Sequence, residues 1–291
     1  MKPHLLLSGL FSRITVIIHF YSQILFPLYL DAVPLNRTIS NQTSFNPFLK
    51  SNPGTSQKVK SDNLLYTYNY KFLDLKNKSR VWKWTASKKD SDRMISRFGV
   101  PPSIFKPYLL KPDVIKKRKA QIKNGYFRQL GNMIIPDFAR IVSDSRPIVS
   151  RLAVRAKKTV KAEKLRFRET IELILAFCQD IPYKAPPNKY KGKIISGLFP
   201  PPLSLNKGWA DCDSKAVLFA SIYLSISKSP VVLLESPGHI SCGIRGIPGP
   251  YDQSVTYRGK KYIIAEPVGP GKLRLGRARS PYVRVTNFYP L

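Results

Sequence analysis

The sequence predicts an α+β fold in which a helix packs on an antiparallel sheet, and three observations support this prediction. The 291 residues are 43% apolar, close to the globular average, so the chain can bury a core. Residues 64–87 alternate aromatic and β-branched side chains with polar ones, which predicts a β-hairpin. Apolar residues recur at helical spacing over 166–181, and short apolar strands follow at 231–235, 239–244 and 262–266.

The amino terminus contains an apolar segment at 14–30 that is free of Lys, Arg, Asp and Glu and predicts a signal peptide or signal anchor over 1–33. The Leu-Asp-Ala at 30–32 is a poor small-x-small cleavage site, which favours the retained anchor. Positive charge before the segment and Asp31 after it predict an exported protein of the cell envelope. The alternative is a buried helix of a soluble domain, because Pro27 and several polar residues dilute the segment.

Two regions separate this segment from the carboxy-terminal part of the chain. Residues 34–62 are rich in Asn, Ser, Thr and Pro without periodicity, which predicts a solvated linker. Residues 63–164 are expected to hold the hairpin and a basic helical region, with runs of Lys and Arg at 116–123 and 155–168. Those runs are either a polyanion-binding surface or ordinary solvated helix faces.

Net charge restricts the classes of partner. Lys and Arg number 49 against 17 Asp and Glu, and the resulting charge of +32 attracts polyanions. We therefore expect an anionic envelope polymer or an anionic membrane surface near the protein. Nucleic acid is disfavoured, because the amino terminus predicts export and no zinc-finger spacing or RNA-binding motif is present. The sequence predicts no particular oligomeric state.

The remaining region, 165–291, begins with the helix predicted at 166–181, which Pro182 ends. Cys178 lies on the apolar stripe of this helix and is expected to be a buried, inert thiol. Residues 182–205 contain six prolines and are expected to form a long irregular loop.

Cys212 is the candidate nucleophile. The segment 208–226 changes from loop to buried apolar helix at Asp211, Cys212 and Asp213. At a helix amino terminus, the macrodipole and unpaired N–H groups lower the pKa of a thiol and activate it. Asp211 suits the helix cap and Asp213 the first turn, and capping alone is the favoured role for both.

A thiol nucleophile needs a base, and His239 is the candidate by elimination. The other two histidines, His4 and His19, belong to the targeting segment. If 239–244 is a strand, its alternation places His239 and Cys242 on opposite faces. Cys242 is therefore expected to be a core residue.

Glu266 is the candidate for the carboxylate that orients the imidazole. It ends the predicted strand 262–266 directly before Pro267, and an acid that closes an apolar strand needs a partner. Of the other acids after residue 214, Asp252 lies in a polar loop and Glu235 suits a surface charge at a strand end.

At these positions the sequence resembles the transglutaminase-like branch of the papain-like cysteine enzymes, which includes bacterial cysteine peptidases. That family has a G-D-C-x-D-K-A-like stretch opening a helix, then a G-H strand, then a strand ending in Asp or Glu. The matching residues here are Asp211, Cys212, Lys215, Ala216, Gly238, His239 and Glu266. The LAFCQDIPY at 175–183 also looks like the helix before the cysteine in bacterial members, so the resemblance covers about 165–291. Ala210, Ser214 and the use of Glu rather than Asp depart from the commonest pattern.

The resemblance implies a transglutaminase-like catalytic core over 165–291 with a Cys-His-Glu triad of Cys212, His239 and Glu266. It implies acyl transfer on a protein or peptide substrate, and we expect a peptidase or amidase because hydrolysis is the simpler outcome. The backbone N–H of Cys212 and a group from Asn206 or Trp209 are the expected oxyanion donors, although loop packing also explains the latter two.

Other functions remain as alternatives or are disfavoured. No P-loop, G-x-S-x-G elbow or metal-ligand spacing is present, so we expect neither a cofactor nor a metal. The main alternative is a catalytically inactive envelope protein that keeps this fold and uses its basic surface to bind an anionic polymer or partner protein.

Overall fold

The computed structural model describes residues 54–269, 271–279 and 284–291, so the predicted segment 1–33 and most of the predicted linker 34–62 lie outside the described residues. The described chain is a mixed α+β protein with antiparallel sheets, which confirms the predicted class. Within these ranges, no helix is both long enough and apolar enough to cross a membrane.

A three-stranded antiparallel sheet opens the described chain, with strands β1 (Ser56–Ser61), β2 (Leu65–Leu73) and β3 (Ser79–Ser87) in that spatial order. β2 and β3 form the predicted hairpin. The prediction of a linker over 34–62 is wrong for the last residues of that range, which form β1. The sequence SQKVKS has too few apolar residues to be recognised as a strand, and it forms one because the open edge of β2 supplies its hydrogen bonds.

Helices and a second hairpin follow the sheet. In chain order these elements are α1 (Lys88–Arg97), α2 (Pro112–Asn124), β4 (Phe127–Leu130), β5 (Met133–Pro136), α3 (Phe138–Ser145) and α4 (Ser150–Ala162). A short 3₁₀ helix, Pro102–Phe105, lies between α1 and α2. The β4–β5 hairpin corrects the prediction of helices alone for this region. Its strands of four residues are too short to give a clear alternation, and its turn uses Gly131 at a φ of 55°.

The region around the candidate nucleophile is more ordered than the sequence predicted. It contains α5 (Phe167–Asp180), β6 (Lys189–Tyr190), β7 (Lys193–Ile194), α6 (Pro201–Lys207) and α7 (Cys212–Leu224). α5 confirms the predicted helix at 166–181. α6 corrects the prediction of an irregular loop over 182–205, because prolines are compatible with the first turn of a helix and here begin one.

A five-stranded antiparallel sheet completes the fold. Its strands are β8 (Val231–Ser236), β9 (His239–Arg245), β10 (Ser254–Tyr257), β11 (Lys260–Ala265) and β12 (Asn287–Pro290). Their spatial order is β10-β11-β9-β8-β12, and α7 packs against β9. Alternation along β9 directs Ile240, Cys242 and Ile244 into the main core, as predicted.

One hydrophobic core runs from β2 to β12, so the predicted units 63–164 and 165–291 are not independent. Phe177 of α5 is at the junction and is 1% exposed. The centroid of its ring lies within 5.9 Å of the centroids of four rings in the β2–β3 hairpin, those of Tyr70, Phe72, Trp82 and Trp84. The hairpin is therefore part of the scaffold that supports α5 and α7.

Polar contacts fasten the same junction. Lys272, in the segment after β11, donates from Nζ to the carbonyl oxygens of Leu73 (2.7 Å) and Ala176 (3.0 Å). The Lys272 ammonium also lies 2.6 Å from Oδ1 of the buried Asp180, whose Oδ2 accepts from the Leu73 N–H at 2.8 Å. Three distant parts of the chain thus share one hydrogen-bonded cluster.

Candidate active site

The start of α7 is built as the sequence predicted. Asp211 is the N-cap residue, and its Oδ1 accepts a hydrogen bond from the Ser214 N–H at 3.1 Å. Cys212 is the first residue of the helix and is 4% exposed. The helix behind it is buried on all sides over almost its whole length, so the position of Cys212 is fixed by the core.

The structure brings His239 and Glu266 together. His239 begins β9 and Glu266 follows the last residue of β11, and His239 Nε2 lies 2.6 Å from Glu266 Oε2. Glu266 Oε1 accepts from the Val268 N–H at 2.9 Å, and its carbonyl oxygen accepts from Gln179 Nε2 at 2.8 Å. Both carboxylate oxygens are engaged, so the side chain of Glu266 has one orientation.

Two neighbouring residues, Ile240 and Val268, connect Cys212 to this pair. The pairing of β11 with β9 ends at Ala265, which lies opposite Cys242. Ile240, two residues earlier on β9, therefore has no partner residue on β11. The N–H of Ile240, next to His239, donates to the sulfur of Cys212 and in itself lowers the pKa of the thiol. Cys212 also packs against Val268, whose N–H binds Glu266. Cys212 therefore lies next to the chain segments that carry His239 and Glu266, and it reaches them through Ile240 and Val268.

The protonation of Cys212 differs from the prediction. Burial, followed by the carboxylates of Asp213 and Asp211, raises the pKa of the thiol well above its ordinary value. The thiol donates to Asp213 Oδ1 at 3.2 Å. The predicted lowering of the pKa by the helix amino terminus is thus wrong in this state, because desolvation and two nearby acids outweigh the helix dipole.

A pH experiment tests this arrangement. Because the raised pKa keeps the thiol protonated, alkylation of Cys212 by iodoacetamide should be slow at neutral pH and accelerate only on the alkaline side. Asp213→Asn removes one neighbouring charge, so its rate profile should move to lower pH with a faster rate at neutral pH. Asp144→Asn, on an exposed acid of α3, is the control and should leave the profile unchanged. Identical profiles for D213N and the parent protein would contradict the role of Asp213.

Asp211, Cys212 and Asp213 are also the residues that could hold a metal. Their carboxylate oxygens and thiol sulfur, one atom each, lie within 4.8 Å of one another. Burial and the charge of Asp213 raise the pKa of the Asp211 carboxyl to about 8. The cap hydrogen bond of Asp211 and the thiol hydrogen bond to Asp213 already give these groups a structural use.

Sequence reasoning gave no role to Lys215 and Gln179. Lys215 of α7 is fully buried; its Nζ donates to the Ile181 carbonyl, and burial lowers the pKa of its ammonium to about 8. Gln179 Nε2 donates to the carbonyl oxygens of Glu266 and Leu273. The burial of Lys215 could have been predicted, because it is a single lysine within an otherwise apolar helix. No feature of the sequence indicated the contacts of Gln179.

The two candidate oxyanion residues both take part in packing. The Asn206 Oδ1 accepts from the Tyr68 hydroxyl. The ring of Trp209 lies 4.8 Å from that of Phe199, centroid to centroid, and Lys184 Nζ lies 5.1 Å from the centroid of the Trp209 ring. Their assignment as oxyanion donors stays a prediction.

The other two cysteines are core residues, as predicted. Cys178 and Cys242 are both 0% exposed, and burial raises the pKa of the Cys178 thiol to about 12. Cys242 Sγ donates to the Ala216 carbonyl at 3.6 Å.

Comparison with known proteins gives no relative for this constellation. No protein-family model matches the chain, and no curated protein or solved structure matches it either.

Proposed function

We propose that the protein is a transglutaminase-like thiol hydrolase that cleaves peptide or side-chain amides through Cys212, His239 and Glu266. The observation that carries the proposal is the buried His239–Glu266 pair, with 2.6 Å between Nε2 and Oε2, beside a cysteine at a helix amino terminus. An antiparallel sheet with α7 packed on it supports the papain-like arrangement expected from the sequence.

The proposal gives each nitrogen of the imidazole a separate role. Glu266 engages Nε2, so Nε2–H donates to the carboxylate and Nδ1 is the atom that exchanges protons with the thiol. The neutral thiol turns its hydrogen from Asp213 to Nδ1 as the sulfur attacks the amide carbonyl carbon. The resulting imidazolium is stabilised by Glu266 and then gives its proton to the departing amine.

An acyl-enzyme on Cys212 follows from this step. The carbon–nitrogen bond breaks, the amine leaves, and a thioester joins the substrate acyl group to the sulfur. Water, deprotonated by Nδ1, then releases the acid and restores the thiol. The backbone N–H of Cys212, at the positive end of α7, is the first oxyanion donor, with Asn206 or Trp209 as the proposed second.

Protein or peptide substrates and a place in the cell envelope complete the proposal. The amide substrate follows from the acyl-transfer chemistry, and the location follows from the predicted export segment at 14–30.

The experiment is a hydrolysis assay with the purified full-length protein in a nonionic detergent. Short peptides with carboxamide and glutamine groups are incubated with the protein, and released amine, ammonia and acid are identified by mass spectrometry. An acid quench should trap an acyl adduct on the peptide that contains Cys212. A parallel reaction with excess primary amine separates hydrolysis from transamidation. No product and no adduct across the panel would favour the inactive envelope protein instead.

Glu266→Gln should lower kcat by about 10²–10⁴-fold, because an amide cannot stabilise the imidazolium and favours the wrong tautomer. The measurement is the steady-state rate on any cleaved peptide. Glu235→Gln is the matched control: Glu235 lies on β8 of the same sheet, where its Oε2 accepts from Asn287 and Tyr289. Equal rates for E266Q and E235Q would remove Glu266 from the mechanism.

A further inference from the structure

Seven cations occupy one continuous surface, which we name the basic sheet face. It consists of the outward side of β1–β3 and the adjoining edge of α4, which packs beside β3. Its cations are Lys58, Lys60, Lys71, Lys83, Arg151, Arg155 and Lys158, and all seven are exposed.

Strand register determines how these cations are arranged. Across the sheet, the residues on the outward side form three rows, Lys60–Thr67–Thr85, Lys58–Asn69–Lys83 and Ser56–Lys71–Val81. Neighbouring strands lie about 4.8 Å apart and successive rows about 7 Å apart, so the charges form a two-dimensional array. Arg151 extends the first row, since its guanidinium donates to the Thr85 hydroxyl.

Within the part of the chain that the structure describes, no carboxylate neutralises this array. None of the seven cations forms an ion pair with a residue that the structure describes. The nearest acids along the strands, Asp62 and Asp74, lie in the turns that follow β1 and β2. Asp74 is buried and already bound to Arg80.

Protection of a sheet edge explains only part of the array. Lysines on an exposed edge strand prevent pairing with another chain, which accounts for Lys58 and Lys60 on β1. It does not account for Lys71 on the central strand β2, where lysine is a disfavoured residue. Self-repulsion among seven cations costs stability, and an anionic ligand would relieve that repulsion.

A groove at the boundary between β3 and α4 is a candidate binding site within this face. The groove has a volume of about 370 Å³ and includes Lys83, Arg151, Arg155 and Lys158 in its lining. The charged groups of these four side chains are hydrogen-bond donors that suit a ligand rich in oxygen atoms.

We propose that the basic sheet face binds a linear polymer of phosphate groups that carries no nucleobases. Its cations, the hydroxyls of Thr67 and Thr85 and the amide of Asn69 are donors that suit phosphate oxygens. The outward positions of β1–β3 include no aromatic side chain on which a base could stack. Two large apolar side chains of this face are exposed, Val81 and, in the groove, Val154, while Leu65 and Leu73 at the ends of β2 are half-buried; this is too little for insertion into a membrane. The proposal is independent of the hydrolase activity.

The test measures binding of fluorescent inorganic polyphosphate to the full-length protein in nonionic detergent, over a series of salt concentrations. The variant combines K58Q, K71Q and K83Q. It should weaken binding by at least about tenfold and reduce the slope of log affinity against log salt by about 2–3. The control combines K116Q, K117Q and K119Q on exposed lysines of α2, which removes the same charge elsewhere. It should retain most of the affinity.

Three outcomes would overturn the proposal. Equal losses in the variant and the control would show attraction to net charge rather than to the basic sheet face. A thymidine oligonucleotide of equal charge that binds more tightly than polyphosphate would indicate a nucleic-acid surface. Tighter binding to vesicles with anionic lipid, lost in the K58Q/K71Q/K83Q variant, would indicate a membrane surface. Far-ultraviolet circular dichroism of both variants checks that they are folded.

Discussion

Cys212→Ala is expected to reduce amide hydrolysis by at least about 10³-fold, the largest effect of any single substitution on activity. In the proposed mechanism the sulfur forms the acyl intermediate, so its removal prevents that step. The change is small in volume, and the cap hydrogen bond between Asp211 and Ser214 does not involve the side chain that is removed. The measurement is kcat/KM for a peptide that the parent protein cleaves.

Two matched controls come from the other cysteines. Cys178→Ala and Cys242→Ala each remove a thiol that lies in the core at 0% exposure. Each should lower the melting temperature slightly and leave kcat unchanged within about twofold, since neither sulfur belongs to the candidate site. Retained activity in C212A, or loss of activity in C178A at a temperature where that variant is folded, would contradict the assignment of the nucleophile.

Phe177→Ala is expected to reduce the free energy of unfolding by about 3–5 kcal/mol, the largest single effect on stability. Its ring is 1% exposed and contacts four aromatic rings of the β2–β3 hairpin, so truncation leaves a cavity between the hairpin and α5. Urea unfolding followed by tryptophan fluorescence measures the change, because Trp82 and Trp84 both lie at this junction.

Phe167→Ala is the matched control, since Phe167 begins the same helix but is 45% exposed. Its expected cost is about 1 kcal/mol or less. A two-step unfolding curve for F177A, with the hairpin lost first, would show that the two halves of the core unfold separately. A single shifted transition is the result expected from one shared core. A cost in F177A no larger than that in F167A would contradict this view of the junction.

The sequence predicted those parts of the fold that leave a periodic signal. The β2–β3 hairpin alternates aromatic and polar residues, and α5 repeats apolar residues at helical spacing, so both were recognised. β1 was missed because its lysines hide the pattern, and its formation depends on the edge of β2. α6 was missed because prolines usually interrupt helices, although in the first turn they favour one.

In the candidate site, too, some features could be predicted from the sequence and others depend on tertiary contacts. Composition and order along the chain were enough to select Cys212, His239 and Glu266 and to predict the Asp211 cap. The protonation of the thiol depends on how deeply it is buried and on which carboxylate oxygen faces it, and neither follows from residue spacing. Gln179 fixes the backbone of Glu266 from 87 residues away, which is a purely tertiary relation.

The contacts of Lys272 have a consequence for how the protein is made. Lys272 and Leu73 are 199 residues apart in sequence, so the β2–β3 hairpin gains this contact only after the segment with Lys272 has left the ribosome. Until Phe177 has also emerged, the aromatic side chains of the hairpin that it covers are exposed and need protection from aggregation. Glu266 is also synthesised late, so an incomplete chain holds a thiol without its acid–imidazole pair. Under the proposed function, nascent chains are therefore expected to have no hydrolase activity until folding is finished.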